Sequence, residues 1–358
     1  MQIGLIGMPF SGKTTLFNLL TGNLHPTGVS GTGEVHIGSA VVPDERIDYL
    51  SALYKPKKTT YARIDFKDIP GIKMNDSKAR AAQMLDEVRS ADALVQVLRV
   101  FDNCDVETVA GNPEPFRDLT NYRTELLLAD IDSLEKKIIN LENSTKAVKE
   151  NSKRINLYKK ILIALENENP VSSVDLTGEE KELLSGHSFL SEKPLFLVVN
   201  IDEEQLRTGD YPDRELINKY TGEHNIPLVE ICTLAEMEIG RLEPEEQSVF
   251  LEDLGLNESG LGQLARMTYD SLNLISFFTV GEDEVKAWSI RRGTSARKAA
   301  GKIHSDIERG FIRAEVFHYD FLQQLGSTAK VREAGHFRLE GKDYPVKDGD
   351  IINFRFNV

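Results

Sequence analysis

One loop, Gly7-Met8-Pro9-Phe10-Ser11-Gly12-Lys13-Thr14, sets the expected fold class of this chain. It fits the pattern G-x-x-x-x-G-K-[ST] and follows a short apolar run at 3–6 that is typical of a buried strand. An apolar pattern with helical spacing follows at 14–20. Loops in this setting wrap phosphates with backbone N–H groups at the positive end of a helix. The sequence therefore predicts a site for a nucleoside triphosphate.

The residue types in this loop suit phosphate binding. Glycine at positions 7 and 12 permits backbone shapes that a Cβ atom would block. Lys13 is expected to reach the β- and γ-phosphates, and the Thr14 hydroxyl is expected to ligate Mg²⁺. The loop residues predicted to contact the nucleotide are Gly7, Pro9, Phe10, Ser11, Gly12, Lys13, Thr14 and Thr15.

A second motif, Asp68-Ile69-Pro70-Gly71, ends the next predicted strand. A carboxylate at its first position can hold a water ligand of Mg²⁺, and the Gly71 N–H can sense a γ-phosphate. Ile72 follows where Ras-like proteins place the glutamine that orients the attacking water, so unaided hydrolysis should be slow or use another group. Hydroxyls between the two motifs could complete the Mg²⁺ shell, and the residues alone leave the choice open among Thr27, Ser30 and Thr32.

A base-binding loop is predicted after a later apolar strand at 196–200. Asn200-Ile201-Asp202-Glu203 stands where P-loop GTPases carry N-K-x-D, whose lysine packs on the base and whose aspartate accepts guanine N–H groups. Here Ile201 replaces the lysine and Glu203 replaces the aspartate. This departs from guanine recognition, whereas the Asn200 amide can still bond the N6/N7 edge of adenine. The other predicted base contacts are Cys232 and Thr233.

Composition indicates a soluble protein of two or three domains. The chain has 358 residues, of which 40% are hydrophobic and 28% charged. No apolar run approaches the roughly 18 residues that a membrane span needs, and the first strand begins without a basic leader, so we expect neither membrane nor signal segment. Two distant cysteines, Cys104 and Cys232, suit the reducing cytoplasm.

Charge limits the kinds of partner. A net charge of −14 argues against indiscriminate nucleic-acid binding, and we expect no sequence-specific DNA binding. Residues 276–358, however, carry 14 Lys and Arg against 12 Asp and Glu, so a local basic surface there could contact RNA. The plainer interpretation is a solvated face of mixed charge.

The chain is predicted to be α/β, with three regions. Residues 1–110 and 190–275 alternate strands with helices and should form a parallel sheet covered on both faces. Residues 111–189 carry an apolar seam of heptad type, which predicts an inserted antiparallel α-helical coiled coil, with an ordinary bundle core as the alternative. Residues 276–358 read as strand, strand, helix, strands, which indicates a small β-grasp (ubiquitin-like) domain. The seam residues are Leu127, Ile131, Leu134, Ile138, Leu141, Val148, Ile155, Tyr158, Leu162 and Leu165.

Taken together, these motifs make the chain resemble the YchF/Obg-like ATPase family. The resemblance covers nearly the whole sequence and is most specific in the last 80 or so residues, which match the family's TGS (β-grasp) domain. It implies Mg²⁺-dependent hydrolysis of ATP in preference to GTP, and association with ribosomes or ribosomal RNA. The motifs that carry it are Gly7–Thr14, Asp68–Gly71 with Ile72, Asn200–Glu203, Thr124–Asp130, Ala299–Ala314 and Glu340–Val358.

The resemblance also assigns roles at the site. By position, Thr32 matches the family's switch threonine. The implied catalytic residues are Lys13, Thr32 and Gly71, and the implied Mg²⁺ site comprises Thr14, Thr32 and Asp68.

Three departures mark a divergent member of the family. Phe10 and Ser11 replace asparagine and valine, and the asparagine is the residue that related proteins use to hold a monovalent cation. A Gly-rich segment after Ile72 is missing, and Thr108 stands where the family has a histidine proposed to help hydrolysis. The family's nucleotide-binding residues are kept, whereas residues that promote hydrolysis in the family are replaced or missing.

Two functions remain open at this level. The first is an ATPase switch, in which ATP and Mg²⁺ order the segments around Thr32 and after Gly71, and hydrolysis releases them. The second is a nucleotide-gated binding module, for ATP or GTP, with negligible hydrolysis. A small-molecule kinase is disfavoured because the sequence has no evident acceptor lid.

Overall fold

The computed structural model describes residues 1–27, 34–71, 78–103, 111–144 and 148–357. Chain contacts divide it into two units, the first comprising Met1–Gly38 and Phe66–Asn257 and the second comprising Ser39–Asp65 and Glu258–Val358. The sequence-based division assigned 39–65 to the nucleotide-binding region and began the last domain at 276. The structure groups these residues differently, because the segment 39–65 packs with the C-terminal chain.

The strands are β1 (Gln2–Ile6), β2 (His36–Val41), β3 (Lys58–Thr60), β4 (Arg63–Asp68), β5 (Ala93–Arg99), β6 (Leu195–Asn200), β7 (Leu228–Ile231), β8 (Leu274–Thr279), β9 (Glu284–Arg291), β10 (Phe311–His318), β11 (Arg338–Glu340) and β12 (Asp350–Phe356).

The helices are α1 (Lys13–Thr21), α2 (Glu45–Tyr54), α3 (Lys78–Ser90), α4 (Pro115–Glu142), α5 (Val148–Glu166), α6 (Gly178–Leu183), α7 (Glu203–Thr208), α8 (Arg214–Glu223), α9 (Thr233–Ile239), α10 (Pro244–Asp253), α11 (Gly260–Ser271), α12 (Ala296–Ile303), α13 (Ser305–Arg309), α14 (Tyr319–Leu325) and α15 (Thr328–Glu333).

The first sheet has the strand order β2-β4-β1-β5-β6-β7. β1 pairs in parallel with β5, β5 with β6, and β6 with β7. Every residue of β5 is buried, as expected of a central parallel strand that is covered on both faces. The predicted α/β class is therefore confirmed. The carboxyl ends of β1, β5, β6 and β7 meet at one edge, where ligands of open α/β sheets bind.

A pair of long helices follows β5 in the chain. Pro115 opens α4 at its first turn, where the missing N–H costs nothing, and α5 runs back against it. The apolar residues predicted for the seam pack together, except that the side chain of Val148 lies outside the described part. Leu157 and Ile161 also join this core, which the heptad pattern did not include. The helical insertion is thus present, and the segment after α5 caps its core with Val171.

The second sheet has the order β11-β10-β12-β8-β9-β3. β8 and β9 form an antiparallel hairpin, β12 runs parallel to β8, and α12 packs its buried alanines on the sheet, which is the β-grasp arrangement. β3 adds a further edge strand parallel to β9. The one helix predicted for this region is interrupted, because His304 is extended and accepts a hydrogen bond from the Asp306 amide as the cap of α13.

Candidate nucleotide-binding site

The loop between β1 and α1 needs glycine at two positions for steric reasons. Gly7 has φ 137°, and a Cβ there would lie 2.5 Å from the backbone oxygen of Val97 on β5. Gly12 has φ 93°, and a Cβ there would lie 2.2 Å from Nδ2 of Asn200. Both positions therefore exclude other residues through backbone angle and close approach together.

Lys13 is held against this loop. Its Nζ donates hydrogen bonds to the backbone oxygens of Gly7 (2.9 Å) and Met8 (2.7 Å), and the residue is only 6% exposed. Burial lowers the pKa of Lys13 to about 8, although the negative charge of Asp68 opposes the change. The ammonium group thus lies inside the loop that is predicted to surround the phosphates, where it is shielded from water.

Thr14 and Asp68 bring the two sequence motifs together. The Thr14 hydroxyl donates to Oδ2 of Asp68 at 2.8 Å, and Oδ1 of Asp68 is buried without a hydrogen-bond partner among the described residues. Burial raises the pKa of Asp68, opposed by this hydrogen bond and by Lys13. A hydroxyl beside a carboxylate that has an unused buried oxygen provides the hard oxygen donors that Mg²⁺ prefers, so the residues present fit this ion.

Gly71 is packed directly on the phosphate loop. A Cβ at this position would lie 2.7 Å from the backbone oxygen of Gly7 and 2.9 Å from the backbone nitrogen of Pro9. The backbone of the second motif therefore approaches the first as closely as only glycine allows. Four candidate site or departure residues, Ser30, Thr32, Ile72 and Thr108, lie outside the described residues.

Asn200 ends β6, as predicted, and hydrogen-bonds to the phosphate loop. It is 1% exposed and donates from Nδ2 to the backbone oxygen of Ser11 at 3.1 Å. Its nitrogen thus holds the phosphate loop, and its predicted contact with the base stays a prediction. Oδ1 of Asn200 and Oγ of Ser11 are both buried, and neither has a hydrogen-bond partner within the described ranges. The phosphate loop is therefore held by a residue that lies 189 positions later in the chain.

The remaining predicted base contacts lie on two adjacent loops. β6 and β7 pair in parallel with Asn200 opposite Ile231, so the loops that follow them leave the same edge of the sheet. Ile201 is buried in the apolar core, so it does not replace the lysine as a surface for the base. Glu203 is exposed at the start of α7, and Cys232 and Thr233 are buried at the start of α9.

The pKa of Cys232 responds to carboxylates on the other of these two loops. Burial raises the pKa of its thiol, with smaller contributions in the same direction from the carboxylates of Glu203 and Asp202. The backbone around Leu234 opposes the shift. The thiol is therefore un-ionised near neutral pH.

Phe10 and Thr15 complete the predicted loop contacts. Phe10 has φ 65°, a left-handed conformation that costs a residue with a Cβ roughly 1–2 kcal/mol. Thr15 lies in the first turn of α1 and is half-buried. The structure thus places a strained phenylalanine where the resembled family has asparagine, a residue that tolerates this conformation better.

Sequence reasoning missed two histidines near Asp68. The rings of His25 and His36 stack with centroids 3.8 Å apart, and Phe17 of α1 contacts both rings. Both histidines oppose the rise in the pKa of Asp68 that burial causes. The only signal in the sequence was that both flank the Gly-rich stretch before β2, which is too weak to assign a role.

Two kinds of feature are missing from the described part of the chain. No helix there is long and apolar enough to cross a membrane. No group of three or more His, Cys, Asp or Glu side chains among the same residues could hold a metal ion by itself.

Comparison with known proteins agrees with this geometry. A family model described as a 50S ribosome-binding GTPase matches residues 2–129, and the YchF-GTPase C-terminal model, described as a protein of unknown function, matches residues 274–357. The chain is 39% identical to the "Ribosome-binding ATPase YchF" of Pasteurella multocida, covering 100% of this chain and 99% of that one. It is 38% identical to the protein of the same name from Bacillus subtilis, covering 100% of both.

A solved structure is also similar over its full length. The Schizosaccharomyces pombe YchF GTPase superposes with a TM-score of 0.85 at 31% identity, covering 99% of this chain and 97% of that chain. A GTP-binding protein from Pyrococcus horikoshii shares the fold, with a TM-score of 0.57 at 20% identity and full coverage of both chains. The identity and full coverage of these relatives, together with a phosphate loop joined to the Asp68 motif, show that this chain belongs to the YchF family.

Proposed function

We propose that this protein is a cytoplasmic, Mg²⁺-dependent ATPase that turns over slowly and associates with ribosomes. The observation that carries the proposal is the joined site, in which Thr14 and Asp68 are hydrogen-bonded beside a buried Lys13. Relatives at 38–39% identity are named ribosome-binding ATPases, which supports both the reaction and the partner.

Each residue of the site has a role in this proposal. The loop backbone and Lys13 would bind the phosphates and offset the charge that develops on them. Thr14 and Asp68, with Thr32, would hold Mg²⁺, which neutralises phosphate charge when bound. The Gly71 backbone would respond to the γ-phosphate, and Thr32 and Gly71 remain predictions in these roles. Slow turnover follows from Ile72, which cannot orient a water.

A preference for ATP is proposed from the base loops. Guanine readers need an aspartate at the position of Glu203 and a lysine at that of Ile201. In this chain Ile201 points into the apolar core, so that lysine contact has no equivalent at this position. Oδ1 of Asn200 remains an acceptor at this edge, and an acceptor suits the exocyclic amino group of adenine.

The test is titration of nucleotide-free protein with ATP and with GTP, each with Mg²⁺, followed by single-turnover hydrolysis. We expect ATP to bind at least tenfold tighter than GTP and to be cleaved slowly. Lys13→Ala should abolish binding, whereas Lys57→Ala, which removes an exposed lysine, should not. Unchanged binding in Lys13→Ala would contradict the phosphate site, and tighter GTP binding would contradict the base assignment.

Two further outcomes separate the remaining possibilities. Tight ATP binding without cleavage would favour a nucleotide-gated binding module over an ATPase. Co-sedimentation with ribosomes, compared with and without ATP, tests the proposed partner. We propose the helical insertion and the C-terminal β-grasp (TGS-like) domain as the contacting parts, and a chain that stays in the supernatant under both conditions would contradict this.

A further inference from the structure

A second, double cavity lies in the first unit, away from the nucleotide loop. Its residues Asp92 and Pro194 immediately precede β5 and β6, so it lies at the amino ends of these strands. The phosphate loop follows the carboxyl end of β1. Because a strand rises about 3.3 Å per residue, the two places are on the order of 20 Å apart. This cavity is therefore separate from the site described above.

The double cavity has a small chamber and a large one. The small chamber, of about 290 Å³, is bordered by α4 and the segment 186–189, and the large one, of about 620 Å³, extends towards Val171 and Pro194. Arg89 and His187 border both chambers, which are therefore adjacent. Their volumes are in the range of small-ligand pockets.

The small chamber is basic. Arg89 from the end of α3 and Lys137 from α4 both line it, and Arg89 is close enough to lower the pKa of Lys137, after burial as the main cause. Lys137 makes no ion pair within the described part of the chain. Two cations line this one chamber, in a chain with a net charge of −14, and such a pair suits an anion.

The small chamber also contains one carboxylate, so its two cations leave a net positive charge. Asp130 accepts hydrogen bonds from the Leu190 amide (3.0 Å), the Ser191 amide (2.9 Å) and the Ser191 hydroxyl (2.7 Å). These neutral donors occupy its oxygens and stabilise its charged form, and that charge still acts on Lys137, whose pKa it raises. Arg89 does contact Asp86 at 3.0 Å, but Asp86 is 75% exposed and its attraction is screened by water.

The large chamber offers the complementary chemistry. Phe189, Leu176 and Leu184 give it an apolar side that suits a flat ring. Glu192 also lines it, and one of its carboxylate oxygens is buried with no hydrogen-bond partner in the described chain. A buried acceptor of this kind suits a hydroxyl or amino group, as carboxylates do for ribose hydroxyls in dinucleotide sites.

His187 stands between the two chambers. Its Nε2 is 2.8 Å from the Tyr158 hydroxyl, and its Nδ1 is buried. The Leu184 backbone raises its pKa slightly, but no described residue reaches Nδ1 with hydrogen-bonding geometry. Burial and the charges of Lys137 and Arg154 lower its pKa overall, which favours a neutral ring at the junction of the two chambers.

We propose that this double cavity binds a nucleoside monophosphate, or a small molecule of that class, with the phosphate between Arg89 and Lys137 and the ring body beside Phe189 and Glu192. The order of the chambers follows from the charges that line them. The small chamber has two cations and one carboxylate, whereas in the large one Arg89 and Lys193 balance Asp92 and Glu192. Phosphate requires the basic chamber, and a ring with hydroxyl groups requires the apolar chamber with its buried carboxylate oxygen. This site is independent of the triphosphate site proposed above.

The test is calorimetric titration with AMP while the phosphate loop is saturated with a non-hydrolysable ATP analogue and Mg²⁺. We expect one AMP per chain and at least tenfold weaker binding of adenosine, which lacks the phosphate. Lys137→Ala should weaken AMP at least tenfold. The matched control is Lys136→Ala, the neighbouring lysine, which is 69% exposed and pairs with Asp132.

A second variant checks the other chamber. Glu192→Gln keeps the side-chain shape and should weaken AMP about threefold or more while leaving the thermal midpoint of the chain unchanged. Failure of AMP to bind at millimolar concentration would overturn the proposal. So would equal affinity in the Lys137 and Lys136 variants, adenosine binding as tightly as AMP, or displacement of AMP by the ATP analogue.

Discussion

Replacing Gly12 with alanine tests the geometry that holds the phosphate loop. Two separate costs are expected. The backbone angle of φ 93° should cost about 1–2 kcal/mol for a residue with a Cβ. The Cβ would also lie 2.2 Å from Nδ2 of Asn200, so the amide must move and give up its 3.1 Å hydrogen bond to Ser11. Leaving those buried groups unpaired costs about 1–3 kcal/mol more.

A double-mutant cycle separates these two costs. Gly12→Ala should destabilise the chain by about 3 kcal/mol and Asn200→Ala by about 2 kcal/mol. In the double variant the clash no longer exists, so only the backbone cost adds to that of Asn200→Ala, and the total should be about 3–4 kcal/mol. The single costs should therefore exceed the double cost by about 1–2 kcal/mol.

The assay is urea denaturation followed by circular dichroism. Gly22→Ala is the control, because Gly22 has φ 70° in the same unit, but no described atom lies within 4 Å of the place where its Cβ would be. This control therefore carries the backbone cost alone. If Gly12→Ala costs no more than Gly22→Ala, the steric argument is wrong. Strict additivity of Gly12→Ala and Asn200→Ala would refute it independently.

Three other perturbations address the lysine, the strained loop residue and the buried aspartate. ATP affinity should be nearly constant well below pH 8 and fall by about thirtyfold between pH 7 and 9.5, because Lys13 with a pKa of about 8 loses its proton. A Lys13→Arg variant that still binds ATP should show an affinity that does not change over this range. An unchanged affinity in the unsubstituted protein would exclude this linkage. Phe10→Asn should raise stability in urea by about 1 kcal/mol by relieving left-handed strain, and a lower midpoint would show that packing outweighs strain. Asp130→Ala should cost about 3 kcal/mol by leaving three donors unpaired, whereas the exposed Asp132→Ala should change the urea midpoint little, and equal effects would contradict the assigned hydrogen bonds.

The local elements of the nucleotide loop could be predicted because their signals are short in range. An apolar run, a Gly-rich loop and an amphipathic helix occur in that order within the first 21 residues, and β1 and α1 form there. The same holds for the apolar seam of the helical insertion. In each of these segments, the residues that determine the local structure lie within the segment itself.

The pairing of β3 could not be predicted for the opposite reason. Lys58-Thr59-Thr60 has no apolar alternation, and it becomes a strand only because it pairs with β9 more than two hundred residues later. Asn200 is similar, since its hydrogen bond to Ser11 depends on β6 pairing with β5, which in turn pairs with β1. Such contacts between distant parts of the chain cannot be predicted from the residues next to them.

The second unit has a consequence for shortening this protein. It is built from two stretches of chain, and Arg46 of the earlier stretch binds Asp348 of the later one at 2.7 Å, while Tyr54 binds Thr328 at 2.5 Å. A stop codon at 276 would therefore cut through a folded body instead of removing one. The shortened chain would keep α2 and β3 but lose the residues they pack against, including β9. The unpaired edge of β3 would then be exposed, and exposed strand edges promote aggregation. A separable version of this half requires both stretches, joined by a linker.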